Sequence, residues 1–358
     1  MISITTAKAV SATAMIPRPD APLEHGGDLG AARQLFPEAP QPFIDLSTGI
    51  NPDSYPLPPL GRDVFARLPH SAAQWRLSAI AAEAYGAPSA AHVVCAPGSQ
   101  ILLPLVAGLA PPGRAVILGP TYSEHARAAA HAGHAVLDAR EVNELHGADL
   151  AIVVNPNNPD GRIISKEKLL ALRHELNVRG GLLVVDEAFM DVGPPEASLA
   201  GETEHGNLVV LRSFGKFFGL PGLRLGFALA APAIIAKLKS AIGPWGVSGA
   251  AIAIAERALA DAAWIDATRV QLLRRAENFD RLLGNAGLEI AGGTSLFRLA
   301  RARDARQVFQ HLGANGIIVR LFHEQPTWLR FGIPSEGDWH RVGSVLAAVG
   351  RLLRKATG

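Results

Sequence analysis

The chain has 358 residues, a length that favours two domains. Its formal net charge is +2, from 34 basic and 32 acidic residues, which argues against a nucleic-acid partner. A hydrophobic content of 48% with 18% charged residues is typical of a globular protein with a large core. The single cysteine, Cys95, excludes an intrachain disulfide, and we expect a cytoplasmic location. No apolar run reaches the ~18 residues needed to span a membrane, so we expect no membrane partner.

The N-terminal stretch differs from the rest of the chain in its composition. Residues 1–21 have few charges and no long apolar run, so we expect a flexible leader and no signal peptide. Residues 22–46 are expected to pack with a small C-terminal domain. Within them, the His25-Gly26-Gly27 segment either brings the backbone close to a ligand or forms an ordinary turn. This stretch by itself favours the turn.

The first half of the chain alternates apolar strands with helical patterns. The predicted strands are residues 93–96, 114–118, 150–154 and 181–185, and the predicted helices are residues 71–85, 101–109, 125–132 and 166–179. This alternation predicts an α/β fold with a mostly parallel sheet flanked by helices. Ligands bind such sheets beyond the carboxyl ends of the strands, and each of these strands ends in a polar or glycine-rich loop.

Three of these loops carry groups suited to a planar, phosphorylated ligand. The turn Gly98-Ser99-Gln100 opens a helix after a strand, an arrangement whose free N–H groups favour an anion. Tyr122 follows another strand and either stacks on a ring or caps the core. Asp186 ends a buried strand, where a carboxylate requires a cation or hydrogen-bond donors.

Lys216 follows the apolar strand at residues 208–211 and lies among phenylalanine, glycine and leucine residues. Such surroundings lower the pKa of an amine because they remove water from its charged form. A neutral amine can form a Schiff base with an aldehyde cofactor. Arg224, eight residues later, supplies a fixed positive charge suited to a phosphate.

The remaining sequence predicts a smaller α+β domain at residues 244–358, after a large domain at residues 47–243. Its predicted helices are residues 249–261, 263–286, 305–314 and 336–354, and its predicted strands are residues 293–299, 316–321 and 328–333. The second of these helices is expected to cross between the domains.

Residues 213–226, with Ser213, Lys216 and Arg224 at the family's spacing, resemble the cofactor-lysine signature of the pyridoxal phosphate enzymes with the aspartate aminotransferase fold. These are fold type I enzymes and include the class I and II aminotransferases. The resemblance covers nearly the whole chain. It implies pyridoxal 5'-phosphate as cofactor, a homodimer with sites at the interface, and no metal site.

The resemblance also implies roles for individual residues. Lys216 would be the catalytic residue that binds the cofactor, with Asp186 on the pyridine nitrogen and Asn157 on the phenolic oxygen. The other cofactor-binding residues implied are Gly98, Ser99, Gln100, Tyr122, Phe189, Ser213 and Arg224. The substrate-binding residues would be His25, Asn51, Arg320 and Arg330.

Within the family, four segments are similar to the threonine-phosphate decarboxylases of cobalamin biosynthesis, which are relatives of the histidinol-phosphate aminotransferases. They are the His25 segment, the turn at residues 47–52, Phe189 where aminotransferases usually have tyrosine, and the pattern at residues 244–247 with 262–264. Two residues depart from the family: Asp160 replaces a threonine, and Leu68 replaces a tyrosine that reaches the partner subunit's phosphate.

The resulting hypothesis is decarboxylation of L-threonine O-3-phosphate. Arg320, with His25, would bind the substrate phosphate, and Arg330 would bind the carboxylate. Arg320 has an alternative reading as a solvated charge on an edge strand. Two other functions stay open, an aminotransferase like those for histidinol phosphate and a non-catalytic scaffold, although a scaffold has no use for Lys216.

Overall fold

The computed structural model describes residues 26–355, so the expected leader and His25 lie outside the described residues. Within this range the strands are β1 (Ile44–Leu46), β2 (Val93–Ala96), β3 (Arg114–Leu118), β4 (Ala135–Ala139), β5 (Leu150–Val154), β6 (Leu182–Asp186), β7 (Leu208–Ser213), β8 (Gly226–Ala230), β9 (Glu289–Thr294), β10 (Phe297–Arg301), β11 (Ile317–Leu321) and β12 (Trp328–Gly332). The helices are α1 (Leu29–Leu35), α2 (Asp63–Ala66), α3 (Ser71–Tyr85), α4 (Leu102–Ala107), α5 (Glu124–His131), α6 (Lys166–Val178), α7 (Phe214–Phe217), α8 (Pro232–Ile242), α9 (Gly249–Ala260), α10 (Ala262–Asn285), α11 (Ala305–Ala314) and α12 (Trp339–Lys355). None of these helices is long and apolar enough to cross a lipid bilayer.

The larger sheet has seven strands in the order β2-β8-β7-β6-β5-β3-β4. The run from β7 to β4 is parallel, and β8 pairs antiparallel with both β7 and β2. The central strands β5, β6 and β7 are buried along their whole length, as expected for strands covered on both faces. Helices α3, α6 and α9 pack on one face, and α4, α5 and α8 pack on the other. The predicted α/β fold is confirmed.

The smaller sheet has five strands in the order β1-β11-β12-β10-β9. Strand β1, from the N-terminal segment, pairs parallel with β11, and the remaining pairs are antiparallel. The single strand predicted at residues 293–299 is wrong, because the chain reverses there and forms the hairpin β9–β10. Gly292 and Gly293 have φ of +146° and +137°, and their missing side chains admit the backbone of Asp160 and Phe297. A glycine pair inside a strand weakens its sequence signal.

Helix α10 joins the two halves of the molecule. Leu272 packs in the core of the large sheet, and Phe279 and Leu283 pack in the core of the small sheet. Helix α9 packs in the core of the large sheet, although the sequence prediction places residues 244–358 in the small domain. The chain passes from one core to the other within α10. The amphipathic pattern of a helix shows that it has a buried face, but the pattern does not show which sheet covers that face.

Candidate active site

A cavity of about 960 Å³ opens at the carboxyl ends of the parallel strands, where residues of the two sheets meet. This is the edge at which the sequence places a ligand. Most of the predicted site residues line it: Gly98, Ser99, Gln100, Tyr122, Asp186, Phe189, Ser213, Lys216, Arg224, Arg320 and Arg330.

Lys216 lies in the short helix α7, which begins directly after β7. Burial is the main cause that lowers the pKa of its amine from 10.5 to about 8, and the positive charge of Arg330 adds to it. The carboxylate of Asp186 acts in the opposite direction. The amine lies 5.9 Å from the ring centroid of Phe189. Near neutral pH a much larger fraction of this amine is therefore neutral, and nucleophilic, than in an ordinary lysine.

Asp186 ends β6 and is held by a residue that the sequence analysis missed. Its Oδ2 lies 2.8 Å from Nε2 of His125, a histidine that is only 2% exposed. Its Oδ1 accepts a hydrogen bond from the backbone N–H of Ala188. These contacts fix the carboxylate at the cavity wall. In the sequence, His125 is a histidine in an alanine-rich helix. That pattern does not indicate which residue the histidine contacts.

Two glycines shape the opposite end of the cavity. Gly98 has φ of +90°, and a Cβ there would lie 2.4 Å from Nη2 of Arg224. A Cβ on Gly226 would lie 2.4 Å from the backbone nitrogen of Ser99, so β8 can approach the turn only because this residue is glycine. Ser213, at the end of β7, pairs with Gly226 across the two strands. A turn, a hydroxyl and a guanidinium therefore converge, as an anion requires.

Asn157, predicted to bind the cofactor, does not line the cavity, whereas its neighbour Asn158 does. Both polar atoms of the Asn157 amide have partners in its own loop and in the loop after β3: Oδ1 accepts from Thr121 Oγ1 at 2.6 Å, and Nδ2 donates to Asp160 Oδ1 and Pro120 O at 2.8 and 3.0 Å. Asn158 lines the cavity instead, and its Oδ1 accepts from Nη1 of Arg330 at 2.5 Å. This contact orients the Asn158 amide so that its NH₂ group can donate to a ligand oxygen. Sequence could not distinguish two adjacent asparagines in one loop.

Asn51, predicted as a substrate-binding residue, is not among the residues that line the cavity. Its Nδ2 donates to the carbonyl of Phe217 at 2.9 Å, and its backbone N–H donates to the carbonyl of Lys216 at 2.9 Å. Asn51 therefore supports the segment that presents the amine. The turn that contains it reaches the cavity through Thr48 and Gly49.

The two arginines of the small sheet lie opposite each other in the β11–β12 pair, in register Arg320↔Arg330. Arg330 is 8% exposed; Nη2 donates to the carbonyl of Ser47 at 2.6 Å, and Cζ lies 5.6 Å from the ring centroid of Phe297. Burial and the charge of Arg320 lower the pKa of Arg330 to about 10. Directly opposed like charges are destabilising, so this pair favours an anionic ligand. His25 lies outside the described residues, but the adjacent Gly26 lines the cavity.

The sequence model of the family "Aminotransferase class I and II" matches residues 72–348. The chain belongs to this family. It is 40% identical over 333 residues to the threonine-phosphate decarboxylase of Sinorhizobium sp, covering 91% of this chain and 98% of that protein. It is 41% identical over 332 residues to the threonine-phosphate decarboxylase of Pseudomonas aeruginosa, covering 90% of this chain and 97% of the relative.

The fold is similar to the crystal structure of a histidinol-phosphate aminotransferase from Sinorhizobium meliloti in complex with pyridoxal 5'-phosphate. The TM-score is 0.79 and the identity 19%, and the match covers 96% of this chain and 99% of that chain. At this identity the likeness describes the fold alone.

The cofactor of this aminotransferase-family protein is pyridoxal 5'-phosphate, and the cavity fits it. Lys216 supplies an amine of lowered pKa, and a carboxylate anchored by His125 can pair with a pyridinium nitrogen. Asn158 can donate to the phenolic oxygen, since its carbonyl side is occupied by Arg330. The turn at Gly98 with Arg224 forms the phosphate end.

Proposed function

We propose that the protein decarboxylates L-threonine O-3-phosphate to (R)-1-amino-2-propanol O-2-phosphate in cobalamin biosynthesis. The observation that carries this proposal is that Arg320 and Arg330 lie opposite each other in the β11–β12 pair and both line the cavity. Two adjacent guanidinium groups match a substrate with two anionic groups, a phosphate and a carboxylate. Threonine phosphate carries both groups, whereas histidinol phosphate carries the phosphate alone. The names of the two relatives with 40% and 41% identity support the same substrate.

The residues of the chain have separate tasks in this reaction. Arg330, held by Asn158 and Ser47, is placed to bind the carboxylate, and Arg320, with His25, binds the phosphate. These two contacts orient the substrate and so select which bond to Cα breaks. Bound pyridoxal phosphate supplies the sink for the electron pair that remains on Cα when carbon dioxide leaves. Lys216 then delivers a proton from Nζ to Cα, which replaces the lost carboxylate.

The direct test is incubation of the purified enzyme with L-threonine O-3-phosphate. We expect release of carbon dioxide and formation of aminopropanol phosphate in equal amounts. Transfer of an amino group to 2-oxoglutarate without gas release would contradict the proposal and favour an aminotransferase.

Substitution of the phosphate-binding arginine tests the assignment of the anionic groups. In Arg320→Met we expect a KM for threonine phosphate about 10- to 100-fold higher, since a charge-assisted contact is lost. Arg303→Met is the matched control, because Arg303 is exposed and does not line the cavity.

A non-catalytic scaffold is the alternative from a different class, and Lys216 distinguishes it. Wild-type protein should show a visible absorbance band with pyridoxal phosphate, and Lys216→Ala should lose that band. Lys239→Ala is the control, because Lys239 lies at a separate cavity beside Trp75. A colourless wild-type protein would support the scaffold.

We also propose a homodimer in the cytoplasm. Large apolar side chains are exposed between residues 57 and 75 and in the loop at residue 245: Leu57, Phe65, Leu68, Trp75 and Trp245. The loop that carries Trp245 packs beside Pro97, the residue before the Gly98 turn, and Trp75 lines a cavity with the same loop. A second copy that covered these side chains would also approach the cofactor phosphate. The free Cys95 supports a reducing compartment.

A further inference from the structure

Four polar side chains form a chain of hydrogen bonds, and three of them, Tyr122, Gln100 and Glu124, line one wall of the cavity. The hydroxyl of Tyr122 donates to Oε1 of Gln100 at 3.0 Å, and Nε2 of Gln100 donates to Oε2 of Glu124 at 2.9 Å. Nη1 of Arg127 donates to Oε1 of Glu124 at 2.7 Å. The Glu124 side chain is only 12% exposed. The family resemblance gave Gln100 a place at the phosphate, but its side-chain amide is engaged in this chain.

We propose that Gln100 and Glu124 are positioning residues that hold the ring of Tyr122 in one orientation and keep its hydroxyl hydrogen away from bound ligands. This inference rests on the cofactor site within the proposed function and not on the choice of substrate. Tyr122 stacks on the cofactor ring in this scheme. Its polar end is held by Gln100, so the ring keeps a fixed angle without donating a hydrogen bond to cofactor or substrate.

The direction of every bond in the chain follows from the carboxylate. An ionised glutamate only accepts, so the NH₂ group of Gln100 must face Glu124. The carbonyl oxygen of Gln100 then faces Tyr122, and the phenol must donate to it. A neutral residue in place of Glu124 would allow the Gln100 amide to take either orientation.

The electrostatic surroundings keep the phenol protonated. Burial is the first cause that raises the pKa of Tyr122, and the carboxylates of Glu124 and Asp186 add to it. The positive charges of Arg320 and Arg330 act in the opposite direction. The ring of His125 also packs edge-on at 6.1 Å between centroids. The donor role of Tyr122 therefore persists through the physiological pH range.

The test measures the cofactor and the phenol separately, with no substrate present. In Gln100→Leu we expect about 3- to 10-fold weaker binding of pyridoxal phosphate, the effect of one hydrogen bond. Tyr122→Phe should weaken binding by a similar factor, and the double variant should be no weaker than the weaker single variant, because both changes remove the same contact. Gln310→Leu, an exposed glutamine on α11, is the control and should bind like the wild type.

Ionisation of Tyr122 gives the second readout. The chain has three tyrosines, so an ultraviolet difference titration of the apoprotein against Tyr122→Phe isolates this one. Its midpoint should fall in Gln100→Leu, which loses the acceptor for the hydroxyl, and in the isosteric Glu124→Gln, which loses a negative charge. Additive losses of cofactor affinity in the double variant, or an unchanged midpoint in both single variants, would overturn the proposal. Neither result depends on whether threonine phosphate is the substrate.

Discussion

The amine of Lys216 is the chemical centre of the proposed site, and its surroundings lower its pKa. Burial and the charge of Arg330 favour the neutral form, and Asp186 limits the shift. Asn51 holds the backbone of the same residue. The segment therefore controls both the protonation and the position of the nucleophile, as a Schiff-base lysine requires.

The rate at which apoprotein captures pyridoxal phosphate should rise with pH, with a midpoint at about 8 instead of 10.5. Only the neutral amine attacks the aldehyde, and the lowered pKa makes the neutral form abundant at a lower pH than in an ordinary lysine. Rapid-mixing absorbance across pH measures the midpoint. A midpoint near that of free lysine would mean that the amine is solvated.

His125→Ala should weaken cofactor binding by about 10- to 100-fold, since a hydrogen bond to a buried charged group is lost from Asp186. Titration of the visible band gives the affinity. His131→Ala is the control, because His131 is exposed at the end of the same helix. Equal affinities for the two variants would show that His125 does not support the carboxylate.

At the scale of elements, the phosphate end depends on how closely β8 approaches the turn after β2. The two strands pair antiparallel, with Ala96 opposite Gly226. Gly98 and Ser99 can lie against β8 only because Gly226 has no side chain. Strand pairing, and not the turn sequence alone, fixes the position of this anion site.

Gly226→Ala should lower the free energy of unfolding by about 1–3 kcal/mol through overpacking, and should also weaken cofactor binding. The added Cβ would lie 2.4 Å from the backbone nitrogen of Ser99, so the turn must move. Gly222→Ala should be nearly neutral, because nothing lies within 4 Å of a Cβ there. Thermal denaturation with and without cofactor measures both effects. A silent Gly226→Ala would show that the turn yields easily.

At the scale of the whole molecule, the cavity lies where two sheets meet, and each sheet supplies different chemistry. The large sheet presents Lys216 and Asp186, and the small sheet presents Arg320 and Arg330. The amide of Asn158 joins the two sets through Arg330. In the proposed function, cofactor chemistry and substrate recognition belong to separate halves of the protein.

The proposed homodimer gives a prediction at this scale. The wild type should sediment as a dimer, and Phe65→Glu combined with Trp75→Glu should give monomers, because charges would enter an apolar contact. Val178→Glu is the control, since Val178 is an exposed apolar residue on α6, which packs against β6, whereas Trp75 lies on α3, which packs against β2. A monomeric wild type would contradict the homodimer.

Much of the fold was predictable because the central strands β5, β6 and β7 are mostly apolar runs of five, five and six residues, which are too short for typical helices and end in polar or glycine-rich loops. The hairpin β9–β10 was not, since its glycines act through close contact with residues far away in sequence. The sequence predicted the position of Lys216 and Asp186 at the cavity because both lie at the carboxyl ends of apolar strands. The site was not predictable where several identical groups compete, as for Asn157 and Asn158.

The sequence by itself determined the alternation of strands and helices and the edge of the sheet at which Lys216 and Asp186 lie. These depend on local periodicity and on the chemistry of single side chains. Only the tertiary structure decided that His125 holds Asp186, that Asn51 supports the lysine segment, and that Gln100 faces Tyr122. Each of these contacts joins residues from different segments, and the direction of a side chain in a loop is set by its packed neighbours.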